Sequence, residues 1–202
     1  MGSVKVIYSE NLRFEEMKLQ DVFKFKDWEK HKSSLYADYN FDESTEKEIK
    51  DWFLWKTGSF RSKYFTIFLK DTPIGYLSFK SINERKKRAV LGIVIEPGKI
   101  EKGFGKEALF RMLKYYFYEC NFEKLYLEVA RYNKRAILLY KKMGFEKTGS
   151  FMRLYENGDV DFNEDENLKN CFRDFLGVKF YYTDKMVLYR NAFNEVVKCI
   201  SS

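Results

Sequence analysis

Three short runs rich in aromatic and β-branched residues lie close together in this chain, at 64–69, 76–82 and 89–95, and directly after them the apolar period changes. Strand-like runs with connections this short predict an antiparallel meander. From Gly105 to Cys120, by contrast, Ala108, Leu109, Met112, Leu113, Tyr116 and Phe117 recur at helical spacing and form one wide stripe. A meander that hands over to an amphipathic helix restricts the fold to layered sheet and helix. The other segments extend this pattern. Residues 12–15 read as an opening strand and 17–28 as a helix. Thr45 and Glu48 have the form of a capping box ahead of Ile49, Trp52 and Phe53. Residues 36–42 read as a loop, and 71–75 as a turn punctuated by Pro73 and Gly75. Further on, 125–129 alternates as a strand, and 133–143 is helical with Gly144 at its left-handed end. Residues 145–155 and 181–190 are strands, and the tail after Asn191 has the amphipathic character of a short helix. The expected order is strand, two helices, three strands, helix, strand, helix, two strands.

A chain of 202 residues suits one domain, here 1–202, large enough to bury a core without staples. Its 37 Lys and Arg against 30 Asp and Glu give a net charge of +7, which suits a polyanionic cofactor, a nucleic acid or an anionic membrane. The basic residues are interspersed with acidic ones. The longest basic run, Arg85-Lys86-Lys87-Arg88, falls between two strands and reads as a solvated hairpin turn. No recognition helix or aromatic-basic sheet motif appears, so no nucleic acid is expected. No apolar run approaches the ~20 residues of a membrane span, and no apolar leader opens the chain. With three widely spaced cysteines, Cys120, Cys171 and Cys199, a cytoplasmic setting with reduced thiols is expected. The single histidine, His31, sits among charged residues. One histidine cannot furnish a zinc site of the usual Cys/His spacing, and any Ser-His-Asp system would depend on it alone. No metal is expected. The run Asp159-x-Asp161-x-Asn163-x-Asp165 lacks the glycine and terminal glutamate of a calcium loop.

Two constellations carry chemistry. The first runs from Ile93 to Ala108: a strand end, Pro97-Gly98, then a basic loop entering a helix through Gly103-Phe104-Gly105. Helix N-termini present unpaired amides and partial positive charge, and glycines let a phosphate approach them. Lys102 and Lys106 add charge. The same residues fit G-x-G-x-x-A, but in a dinucleotide fold the glycines follow the strand directly, whereas 96–102 intervene here. The second is Asn133-x-x-Ala136-x-x-Leu139-Tyr140-x-x-x-Gly144-Phe145, in which Asn133 also suits a helix N-cap and Tyr140 an apolar stripe.

Taken in order, these motifs resemble the GCN5-related N-acetyltransferase superfamily, over about 64–151, and in particular its branch of ribosomal-protein N-terminal and spermidine acetyltransferases. The resemblance implies an α/β (α+β) acyl-CoA N-acyltransferase fold. Its mixed, mostly antiparallel sheet of about seven strands is flanked by helices and splayed between strands four and five. The family usually places Gln or Arg where this chain has Ile100; Lys99 or Lys102 can supply the lost charge.

The cofactor implied is acetyl-CoA. Ile93, Val94 and Ile95 would meet its pantetheine, with a backbone N–H near Val94 stabilising the oxyanion. Glu101, Lys102, Gly103, Phe104, Gly105 and Lys106 would hold the pyrophosphate, Asn133 would bond the pantetheine, and Tyr140 would protonate the departing thiolate. Asp38, Tyr39 and Glu128 are candidate acceptor-binding residues, and Glu15, Asp38 or Glu128 the candidate general base. The acceptor is a small-molecule, polyamine or peptide amine. An acidic stretch within 156–177 (Asp159, Asp161, Glu164, Asp165, Glu166) is either a solvated loop or a surface for a cationic acceptor. An amino-sugar or aminoglycoside acceptor, and a CoA-binding sensor without turnover, stay open as alternatives. A homodimer fits the aromatic strands near the C-terminus.

Overall fold

A computed structural model of the chain describes residues 6–157 and 166–201. They divide into two compact units: residues up to 31 with 39–123, and 32–38 with those from 124 onward. In both, the sheet is antiparallel and flanked by helices.

The first unit contains β1 (Ile7–Tyr8), β2 (Leu12–Glu16), β3 (Lys63–Leu69), β4 (Thr72–Asn83) and β5 (Arg88–Ile95), paired in sequence order. The meander is as expected, but its first turn is shorter. β4 begins at Thr72 and runs through Pro73 and Gly75; the register shifts opposite Ile67 and Phe68. Proline lacks an N–H, and a bulge is where a strand tolerates that. Residues 84–87 form the exposed turn of the basic hairpin.

The helix expected at 17–28 is broken instead. Only α1 (Leu19–Val22) is α-helical, and Phe25–Asp27 winds as a 3-10 turn. The tighter winding eclipses positions three apart. It lets the Phe25 and Trp28 rings stack at 4.1 Å, both buried, while Trp28 Nε1 donates to the Pro73 carbonyl at 2.8 Å. The loop expected at 36–42 likewise contains a 3-10 helix, Ser34–Tyr39. α2 (Glu46–Thr57) starts at the expected capping box: the Glu48 N–H donates to Thr45 Oγ1, and the Glu48 carboxylate accepts from the Thr45 N–H. α3 (Phe104–Lys114) carries the wide stripe but opens into a π-helical turn at Tyr115–Glu119. The extra residue per turn allows three successive aromatics, Tyr115, Tyr116 and Phe117, to be buried together. Tyr116 stacks on Phe79 at 4.8 Å, and Tyr115 meets Phe65 edge-on.

The second unit contains β6 (Lys124–Ala130), α4 (Lys134–Lys142), β7 (Glu146–Leu154), α5 (Glu166–Lys169), β8 (Phe172–Phe175), β9 (Val178–Tyr189) and α6 (Arg190–Ser201). β9 pairs antiparallel with β6, β7 and β8. The described strands number nine instead of about seven, because β1 is very short and β8 lies in the stretch read as a connection. Leu176 and Gly177, both at positive φ, make the tight β8–β9 turn. The acidic residues Asp159, Asp161, Glu164 and Asp165 lie outside the described residues. No described helix is long and apolar enough to cross a membrane.

One polar cluster ties this unit together. Asp184 of β9 is buried and accepts from Arg131 Nη2 at 2.9 Å and Ser150 Oγ at 2.8 Å, with Lys147 Nζ at 2.9 Å. Burial alone would raise the Asp184 pKa, but these three donors outweigh it and hold it below 3.8. A depressed carboxylate stabilises the fold fully above its unfolded pKa, and that contribution is lost as pH falls through the folded value. Asp184→Asn is therefore expected to cost about 2 kcal/mol at neutral pH, leaving two cations facing each other. Denaturant titrations should also show a shallower loss of stability below about pH 4 than in the parent chain. Parallel pH profiles for the two proteins would count against this account.

Candidate active site

The first unit supplies a cradle of amides. After β5, Glu96 is buried and donates its N–H to Ile74 O at 2.8 Å, and Pro97–Lys99 makes a 3-10 turn. The chain then twists through two left-handed residues, Glu101 at φ 64° and Gly103 at φ 86°, and enters α3. For a glutamate that conformation costs about 1–2 kcal/mol, a strain that binding loops often hold. Alternating backbone handedness turns successive N–H groups the same way, which makes an anion nest. The amides of Lys102, Gly103, Phe104 and Gly105 have no hydrogen-bond acceptor among the described residues, whereas those of Lys106 and Glu107 bond to Gly103 O.

The glycines are informative in different ways. Gly103 has open space where a Cβ would be, so its backbone angle is what selects it. Gly105 is helical, and an added Cβ would meet Ile95 Cγ1 at an ordinary 3.7 Å. Neither backbone nor packing requires glycine at 105, although a glycine in a helix costs up to ~1 kcal/mol relative to alanine. A ligand lying close against the amides would supply such a requirement. These residues fit a pyrophosphate. Lys102 Nζ is held on the Gly98 carbonyl at 2.7 Å, while Lys106 is exposed. Behind the cradle, Glu107 fixes α3 by accepting from Ser9 Oγ and the Asn11 amide, at 2.6 and 2.7 Å.

The β5 register narrows one expectation. The Glu96-to-Ile74 bond makes Tyr76 and Val94 the next hydrogen-bonded pair, since such pairs alternate along an antiparallel ladder. The Val94 N–H therefore faces β4. The N–H groups directed away from β4 are those of Ile93 and Ile95, so these are the oxyanion-donor candidates near Val94. The Val94 side chain packs against the buried cluster that contains Phe25 and Trp28, whereas Ile95 lies against the start of α3.

In the second unit, Asn133 and Tyr140 are set by the two ends of α4. Asn133 is buried, and its Oδ1 accepts from the Ala136 N–H at 3.1 Å, the expected cap. Its Nδ2 takes no part in this cap. At the other end the Gly144 N–H bonds to Lys141 O and the Phe145 N–H to Tyr140 O, each at 3.0 Å, with Gly144 at φ 91°. This is a Schellman motif, which brings the side chains at its C″ and C3 positions into contact. Those residues are Phe145 and Tyr140, whose rings meet at 5.7 Å. The Tyr-x-x-x-Gly-Phe spacing is thus a device for holding the buried Tyr140 ring in one orientation.

The acceptor candidates divide between the units. Asp38 is exposed in the second unit and accepts from Asn157 Nδ2 at 2.7 Å. Glu128, on β6, is paired with Arg153 at 2.6 Å. Tyr39 belongs to the first unit and faces the His31 ring at 6.4 Å. Glu15 of β2 is ion-paired with Arg13 and Lys18. Two residues that the motif reading passed over stand on the α1–α2 side of the first unit: Lys80, beside Gly92, and Lys56, whose Nζ lies 3.9 Å from the Trp55 ring centre. Alternation along β4 already carried the signal for Lys80, because Tyr76, Ser78 and Lys80 share a face.

A family model for the acetyltransferase (GNAT) domain matches residues 11–146. The spermidine N(1)-acetyltransferase of Vibrio cholerae is 37% identical over 76 residues, covering 38% of this chain and 44% of that protein. That of Escherichia coli K12 is 33% identical over 88 residues, covering 44% and 47%. The matched stretches thus span about half the length of these curated relatives. A solved spermidine N-acetyltransferase from Vibrio cholerae, in complex with CoA and spermine, is alike in fold. Its TM-score is 0.68 over 92% of this chain and 99% of that one, at 18% identity.

Proposed function

The chain belongs to the acetyltransferase (GNAT) domain family, and from that premise we propose that residues 1–202 act as one N-acetyltransferase domain. It moves the acetyl group of acetyl-CoA directly onto a primary amine. The observation that carries this is the cradle of unpartnered amides at 102–105, with a glycine at 105 that the protein itself does not need. Those amides take the pyrophosphate, and the Asn133 Nδ2 donates to the pantetheine.

Bound acetyl-CoA supplies an acetyl thioester. The acceptor must arrive as a neutral amine, because an ammonium has no lone pair to attack with. As the C–N bond forms, the N–H groups of Ile93 and Ile95 meet the charge that develops on the carbonyl oxygen. As the C–S bond breaks, Tyr140 delivers its proton to the sulfur. A phenol ordinarily titrates near pH ~10, close to an alkyl thiol, so this transfer is near balance. Glu15, Asp38 and Glu128 stay the candidate carboxylates to receive the proton that the amine sheds, Glu15 and Glu128 each already ion-paired.

The named relatives are spermidine acetyltransferases, and one related structure is described as dodecameric. A polyamine acceptor and a homo-oligomer are therefore the first alternatives to examine. The reading is tested by calorimetric titration with acetyl-CoA, with NADH as control, followed by thiol release over a panel of amines. Saturable acetyl-CoA binding without NADH binding is expected. Binding of NADH alone would remove the proposal, and acetyl-CoA binding with no release from any amine would leave a sensor.

A further inference from the structure

β5 has two faces with different neighbours. Ile95 packs toward α3, whose start holds the pyrophosphate cradle, while Gly92 and Val94 look the other way, toward α1 and α2. With the cofactor on the α3 side, the second reactant would approach the opposite face of β5, where Gly92 has no side chain and Ser78 Oγ lies 2.8 Å from the position its Cβ would occupy. Its surroundings are distinctive. Lys80 Cε and Nζ lie 3.6 and 3.7 Å from the position a Gly92 Cβ would occupy. Lys56 Nζ lies 5.2 Å from the Trp52 ring centre and 3.9 Å from that of Trp55. Tyr76 and Trp52 meet edge-on at 5.5 Å. Neither Lys56 nor Lys80 has an ion-pair partner among the described residues.

The two ammonium groups also sense each other. Burial lowers the Lys56 pKa, Lys80 lowers it further, and the Glu43 carboxylate opposes them without forming an ion pair. Two cations against one carboxylate leave this face positive. A polycation brought here would add like charge to a partly desolvated site, which is a strong basis for rejection. An anionic group would relieve the repulsion between the lysines and satisfy both.

We infer that the acceptor is an amine that carries an anionic group, carboxylate or phosphate, which Lys80, beside Gly92, and Lys56, over the Trp52 ring that meets Tyr76, hold on this face, and that a polyamine is disfavoured. This rests on the acetyltransferase reading, and the test separates the two. Thiol release and calorimetric binding in the presence of CoA are measured for matched pairs: an amino sugar and its phosphate, an amino acid and its amide. Spermidine is the third arm. The expected result is at least a tenfold advantage in kcat/KM, or in affinity, for the charged member of one pair. Lys56→Met/Lys80→Met should abolish that advantage through KM, leaving acetyl-CoA affinity intact. Which pair responds distinguishes phosphate from carboxylate. The inference is overturned if neutral members or spermidine are preferred, or if the advantage survives in the double variant. In either case turnover with any amine would still uphold the acetyltransferase reading. Since binding is read independently of turnover, a chain without turnover is tested equally.

Discussion

Tyr140→Phe is expected to leave acetyl-CoA affinity within about twofold of the parent value and to lower turnover by about two orders of magnitude or more. The Tyr140 ring is positioned by the backbone bonds of the Schellman motif and by the Phe145 ring, and phenylalanine keeps both. A large loss of rate with acetyl-CoA affinity retained would be chemical. Only the hydroxyl is removed, and with it the acid that meets the departing thiolate. Without that proton the C–S bond must break toward a free thiolate, and the rate should then rise with leaving-group acidity more steeply than in the parent. Turnover within about threefold of the parent would remove Tyr140 from the mechanism and make water the proton source.

What the sequence made legible here was local chemistry with one physical solution. Thr45 and Glu48 could satisfy each other's amides, and they do. Gly144 sits at the left-handed end of its helix, and Gly103 is left-handed where the loop turns. These features answer to three or four neighbouring residues, so spacing alone reveals them. The expectations that failed were decided by distant partners. Residues 17–28 have helical spacing, but the Trp28 indole bonds to Pro73, 45 residues away, and Phe25 must eclipse it. Pro73 reads as a turn, yet β3 pairs with it across a bulge. The α3 stripe is correct to Lys114, and then Phe65 and Phe79 draw two successive tyrosines into the core and widen the helix. In the site, the motifs located the residues, whereas the donor groups followed only from strand register. A single hydrogen bond, Glu96 to Ile74, narrows the candidates near Val94 to Ile93 and Ile95.

Gly105→Ala should change stability and binding in opposite directions. At a helical position with 3.7 Å of clearance, alanine relieves the entropic cost of glycine, so the fold gains up to about 1 kcal/mol, or roughly 2–4 °C in Tm. The same methyl group projects beside the amides of 102–105, where the phosphate oxygens must approach. Acetyl-CoA affinity is expected to fall at least tenfold, about 1.4 kcal/mol. Gly103→Ala is the internal comparison. It has open space but a φ of 86°, so it should lose about 1 kcal/mol of stability through strain. A protein that used this loop only as a turn would show the stability gain at 105 and the loss at 103 with no change in calorimetric affinity at 105. A gain in stability coupled to a loss of affinity requires something that the protein does not itself contain, lying within contact distance of Gly105. Unchanged affinity in Gly105→Ala would exclude the cradle as the pyrophosphate site, whatever the family resemblance implies.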